Sequence, residues 1–79
     1  MKIAVISVSL LHSKILENRF PINSETKEYE IAEQAFRLAI MLAKIKATAE
    51  YGPEFSDYEL GKWLNKIEYD YHIKEIDEE

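Results

Sequence analysis

The chain has two histidines, His12 and His72, and no cysteine. A nucleophilic dyad would therefore have to set Ser7, Ser9 or Ser13 beside one of these imidazoles. Ser7 and Ser9 stand two apart in a run of strand character, and their surroundings do not resemble the tight turn that raises a nucleophilic serine. Glu68, Asp70 and His72 alternate along a second such run, which would put two carboxylates and an imidazole on one strand face, a donor set a divalent metal accepts. Solvated strand faces carry the same pattern, and more often. Many carboxylates crowd the C-terminal third, but acid-base catalysis needs a concave site and a shifted pKa, not abundance. The glycines, Gly52 and Gly61, stand apart, so no loop of the phosphate-cradling kind is present. The reading is a protein that is not an enzyme, with no cofactor and no metal.

Charge narrows the partners. With 15 acidic and 10 basic residues in 79, the formal net charge is -5, which opposes a general affinity for polyanions. Nucleic acid is not an expected partner, nor is a membrane. The apolar run at the N-terminus has only Lys2 before it, lacks a small-residue cleavage site, and falls far short of the roughly 20 residues a membrane helix needs. A cytoplasmic location is the expectation. The charge is unevenly spread: residues 1 to 49 hold seven basic and five acidic residues, residues 50 to 79 three and ten. The same acidic third holds Tyr51, Phe55, Tyr58, Trp63, Tyr69 and Tyr71, six of the nine aromatics.

The elements that must position these residues can be read from end signals and periodicity. A long helix is expected over 24 to 51, capped by Asn23 or Ser24, with Glu25 and Glu28 near its positive end, Lys44 and Lys46 approaching its negative end, and Gly52-Pro53 as the stop. Wound at 100° per residue, Glu30, Glu33, Gln34, Arg37, Lys44 and Thr48 form one polar strip, and the apolar remainder spans about 220°. A surface helix needs roughly 100°. The small residues Ala32, Ala39, Ala43 and Ala47 form a stripe that another backbone could approach, and they are the expected oligomer interface.

A second helix is announced by Ser56 and Glu59, the two ends of a capping box, with Phe55 and Leu60 at the staple positions and Leu60, Trp63, Leu64 and Ile67 on one face. Gly61 inside it suggests close approach of another backbone or of a ligand, close packing being the commoner reason. After Ile67 the period becomes two, with Ile67, Tyr69, Tyr71 and Ile73 on one side and Glu68, Asp70, His72 and Lys74 on the other. Lys2 to Leu10 reads as the other strand, while 11 to 20 fits either a hairpin arm or a short helix.

The expected fold is a small α+β domain over 1 to 79, with 77 to 79 frayed. Two or three strands pack with one long helix and one or two short ones. Because two strands make a meagre sheet and the helix is about 40 Å long, a dimer sharing sheet or helix is expected. A strand over Ile3 to Leu10, a helix over Leu11 to Phe20, a turn and a helix from Ser24 would loosely resemble the order of ribbon-helix-helix repressors. That resemblance implies a dimeric DNA-binding protein and is the alternative, along with a module that sequesters a small ligand. The primary reading is a small acidic interaction protein, of the kind phages and mobile elements carry, acting stoichiometrically as a regulator or inhibitor. Tyr51, Glu54, Asp57, Tyr58 and Asp70 would meet a basic protein surface.

Overall fold

The computed structural model describes residues 1–76. Three strands, β1 (Lys2–Leu10), β2 (Ser13–Ile22) and β3 (Ile67–Glu75), and two helices, α1 (Glu28–Tyr51) and α2 (Asp57–Leu64), follow one another as β1-β2-α1-α2-β3. The sheet is antiparallel in the order β2-β1-β3, so the first strand lies in the middle. This is the α+β architecture expected of the chain, with the third strand supplied by residues 13 to 22.

The hairpin explains that third strand. Leu10 pairs with Ser13, so a two-residue turn, Leu11-His12, joins β1 to β2, and both residues have positive φ, 51° and 69°. Such turns match the right-handed twist of the strands but favour Asn and Gly, which is why Leu-His gave no turn signal in the sequence. The i,i+4 spacing of Leu11 with Ile15 and of Leu16 with Phe20 would also suit a helix. Instead Leu16 and Phe20 face the helices, while Ile15 is the extra residue of a bulge opposite Val8 and Ser9 and is half exposed. The ribbon-helix-helix order is therefore absent: a strand stands where its first helix would be, and both sides of β1 are occupied within the chain.

Strand β1 is buried on both faces. Ala4, Ile6 and Val8 are fully buried against Ile31, Ala35, Ala39 and Ala43 of α1, and Ile3 and Val5 are buried on the open face. The alanines let the helix axis approach the sheet. Ala39, Ala43 and Ala47 are thus consumed by the chain's own core and are not available as an interface with a second copy, while Ala32 is half-buried at its margin.

The long helix starts at Glu28, four residues later than expected. Asn23 does supply an acceptor, but its Oδ1 takes the Glu25 N–H at 2.8 Å and its own N–H donates to Thr26 Oγ1 at 3.1 Å, closing a turn ahead of the helix. The helix entrance is then held by Glu30, whose carboxylate accepts the Lys27 N–H at 3.3 Å. Gly52 ends it at φ 90°, its N–H donating to the Thr48 carbonyl at 3.0 Å, and no basic residue lies in the last turn. In α2 the capping box forms as read: Glu59 N–H donates to Ser56 Oγ at 3.2 Å, and Ser56 N–H to Glu59 Oε1 at 2.9 Å. Leu60, Trp63 and Leu64 pack on the core.

With 24 helical residues spanning about 36 Å, the molecule measures 48 × 24 × 17 Å, and its radius of gyration of 14.7 Å exceeds the roughly 12 Å of a compact chain this long. One helix layer on one sheet gives that thin shape.

Two substitutions test this account. Gly61 has no neighbour near the position of a Cβ, so the expected close approach is absent and Gly61→Ala should stabilise the fold by about 1 kcal/mol in urea titrations. Leu11→Asn combined with His12→Gly should relieve the left-handed turn by about 1–2 kcal/mol, seen as a higher urea midpoint at unchanged slope.

Candidate functional site

The residues with chemical potential collect on the open face of the sheet. Register places Lys14, Ser9 and Glu68 in one row, Glu17, Ser7 and Asp70 in the next, then Arg19, Val5 and His72, then Pro21, Ile3 and Lys74. Ser7 and Ser9 line a shallow hollow of about 450 Å³ with Glu68, Tyr69 and Asp70. Neither serine hydroxyl is hydrogen-bonded to a histidine among the described residues. His12 instead sits at the hairpin tip with Nδ1 3.3 Å from Glu68 Oε1, both side chains largely in solvent. Among the described residues no three His, Asp or Glu side chains converge as a metal site requires. Glu17 is bound by Lys14 Nζ at 3.0 Å and by Arg19 Nε at 3.2 Å, and these hydrogen bonds, Lys14's foremost, hold its carboxyl below the usual carboxylate range. It is a neutralised carboxylate rather than a poised one.

The residues expected to meet a partner divide between two surfaces. Tyr51 closes α1, Glu54 lies in the loop after it, and Asp57 and Tyr58 open α2, so these four share one corner of the helix layer and all are exposed. Tyr58 is 74% exposed, and the Lys62 ammonium lies 5.0 Å from the centroid of its ring. Asp70 is not with them. Strand alternation turns it to the open face of the sheet, away from both helices, where its Oδ1 accepts the Tyr71 N–H at 2.8 Å. Trp63 packs inward beneath Lys66, whose ammonium is 4.7 Å from the ring centroid, and its indole Nε1 is buried with no partner among the described residues.

A further surface escaped the sequence reading. Phe36 of α1 and Tyr69 of β3 touch with ring centroids 6.0 Å apart, yet they remain 42% and 47% exposed. Ile73 is 52% exposed on the same side of β3. The helix packs on β1 and β3, yet these three side chains stay about half exposed at its margin. Its signal in the sequence was the width of the apolar arc on α1, which gave the surplus but not the side on which it would fall.

Tyr71 ties this margin to the start of α1: its hydroxyl donates to Glu28 Oε1 at 2.8 Å. That bond first, then burial and the charges of Glu28 and Asp70, raise the phenol above its ordinary range. A folded pKa above the unfolded one gives stability that is complete below the unfolded value, about 10, and disappears as pH rises through the folded value. The urea midpoint should therefore fall on passing into that alkaline range, and Tyr71→Phe should fall less while losing some stability at neutral pH.

No protein family matches the chain, and no curated protein and no solved structure matches it.

Proposed function

We propose that the protein is a non-catalytic interaction protein that acts stoichiometrically, as a regulator or inhibitor, on a partner presenting a basic surface. The observation that carries this reading is Tyr58. A ring 74% exposed is little used by the packing of its own chain, and the exposed Tyr51, Glu54 and Asp57 precede it within the same turn between the helices. Tyrosine buries a large area at little rotamer cost, which makes it an effective interface anchor. Lys62 lying over the ring supports the chemistry, because it exemplifies on this surface the cation–aromatic contact that a partner's Lys or Arg would make.

Charge supports it too. Between Glu50 and Gly61 the chain carries Glu50, Glu54, Asp57 and Glu59 and no basic residue. Such a concentrated negative corner draws a cationic partner at long range and accelerates encounter. Self-association belongs to the same proposal, supported by the apolar residues that α1 and β3 leave in solvent, as does a cytoplasmic setting. Asp70, on the other face, has no part in the basic-partner contact.

The test is kinetic, on the partner purified from the native host. Glu54→Gln with Asp57→Asn should slow association severalfold, with the effect shrinking as salt is raised. Tyr58→Ala should speed dissociation by about tenfold and leave association nearly unchanged. An association rate indifferent to both salt and the charge removals would reject the electrostatic part. Unaltered dissociation by Tyr58→Ala would reject the anchor.

A further inference from the structure

The two edges of the sheet are built differently. β2 carries a bulge at Ile15 and a proline, Pro21, and its Glu17 is held by Lys14 and Arg19 of the same strand. Bulges, prolines and charges are the devices by which proteins close an edge to further pairing. β3 has none of the first two. It pairs with β1 over nine residues without a register shift, contains neither Gly nor Pro, and among the described residues no further strand pairs with its outer side.

The side chains of β3 are self-complementary. On the open face, acidic Glu68 and Asp70 occupy the first half, His72 and Lys74 the second. Antiparallel pairing of β3 with its own copy about a two-fold axis at Tyr71 sets Glu68 opposite Lys74 and Asp70 opposite His72, each contact occurring twice. On the helix side the same register sets Tyr69, which touches Phe36, opposite Ile73, both about half exposed. Shifting the axis to Asp70 would place that carboxylate against itself.

Backbone polarity agrees. The Tyr71 N–H is turned away from β1 and is met by the Asp70 carboxylate of its own strand at 2.8 Å. By alternation, Tyr69 and Ile73 also direct their N–H and C=O outward. A two-fold axis at Tyr71 then makes Tyr71 with its symmetry mate, and Tyr69 with Ile73, hydrogen-bonded pairs. Within the chain, and among the described residues, Asp70, His72 and Lys74 form no ion pair, whereas Glu68 is held only by exposed His12.

We infer that the β3 edge is a homodimerisation seam, joining two copies through antiparallel β3 strands centred on Tyr71 into one six-stranded sheet. The inference rests on the self-association proposed above and specifies its surface. The second copy is the occupant because, in this register and direction, Glu68 meets Lys74 and Tyr69 meets Ile73, each twice.

Sedimentation equilibrium at micromolar concentration tests it with three samples, each checked for folding by circular dichroism. The wild-type chain should give about twice its 9.3 kDa. Glu68→Lys with Asp70→Lys puts cations on both sides of the axis, and His72→Glu with Lys74→Glu puts carboxylates there. Each variant should be folded and monomeric, its dimerisation weakened by about a hundredfold or more. Mixing the two should restore a dimer, since each position then faces one of opposite charge, two pairs with the wild-type sign and two reversed. A monomeric wild type overturns the seam together with self-association itself. Variants that remain dimeric alone, or a mixture that stays monomeric, overturn the seam while leaving self-association to another surface, such as Met41 and Ile45 on α1.

Discussion

The fold depends on the contact between the middle of β1 and the alanine stripe of α1. Ala4, Ile6 and Val8 meet Ile31, Ala35, Ala39 and Ala43, and every one of these residues is essentially inaccessible to solvent. Small side chains on the helix bring two backbones close, so the branched residues of the strand fill the gap without voids. No polar side chain is buried in the described chain. Stability in this small domain thus comes from one narrow apolar seam with the helix laid along it. β1 also joins the ends of the chain, pairing with its nearest neighbour β2 and with the distant β3. The second pairing closes a long loop, which becomes favourable only once α1 and α2 occupy that loop and bury their faces.

A single helix cannot cover a sheet completely, and the surface follows from what it leaves bare. On the open face, Ile3 and Val5 are buried although no element lies over them. Their cross-strand neighbours are Pro21 and Lys74 for Ile3, Arg19 and His72 for Val5. Long charged side chains can lay their stems over an apolar pair while keeping their heads in water, which suits a face that must stay solvated. On the helix side the margins are less protected. Phe36, Met41 and Ile45 remain about half exposed along α1, flanking the polar strip of Glu33, Arg37, Lys44 and Thr48. The wide arc read from the sequence is therefore divided into a buried centre and two exposed shoulders.

Local signals in the sequence were legible where a residue's role is settled within one turn of chain. Ser56 and Glu59 form their box, Gly52 ends α1, and the alternation after Ile67 gives β3 its two faces, because each rests on backbone geometry over a few residues. Asn23 was misread for an instructive reason: the carboxamide oxygen that caps a helix also closes an Asx turn, and here the turn before the helix takes it. Leu11 and His12 concealed the hairpin because neither residue favours the left-handed turn they occupy. The alanine stripe was found but assigned to a partner, since a helical wheel shows which side is small and apolar without showing whose backbone meets it. Gly61 misled in the same direction: a costly residue suggested crowding where there is open space.

Asp70 shows how topology redistributes a feature that looks single in the sequence. Its acidic and aromatic neighbourhood suggested one surface running from Tyr51 to Tyr71, but strand parity and the sheet lie between Asp70 and Tyr58. Within β3, Glu68 and Asp70 lie toward one end of the open face and Lys74 toward the other, and with Glu75 on the helix side three carboxylates stand against one ammonium. Where α1 turns into α2, Glu50, Glu54, Asp57 and Glu59 gather with no basic residue among them. On the proposed function, that corner would orient an approaching cationic partner toward Tyr51 and Tyr58, whereas the seam proposed at the β3 edge would recognise a matching pattern only at contact. The two proposals thus fall on surfaces that the sheet keeps apart, steering at the helix corner and short-range complementarity at the sheet edge.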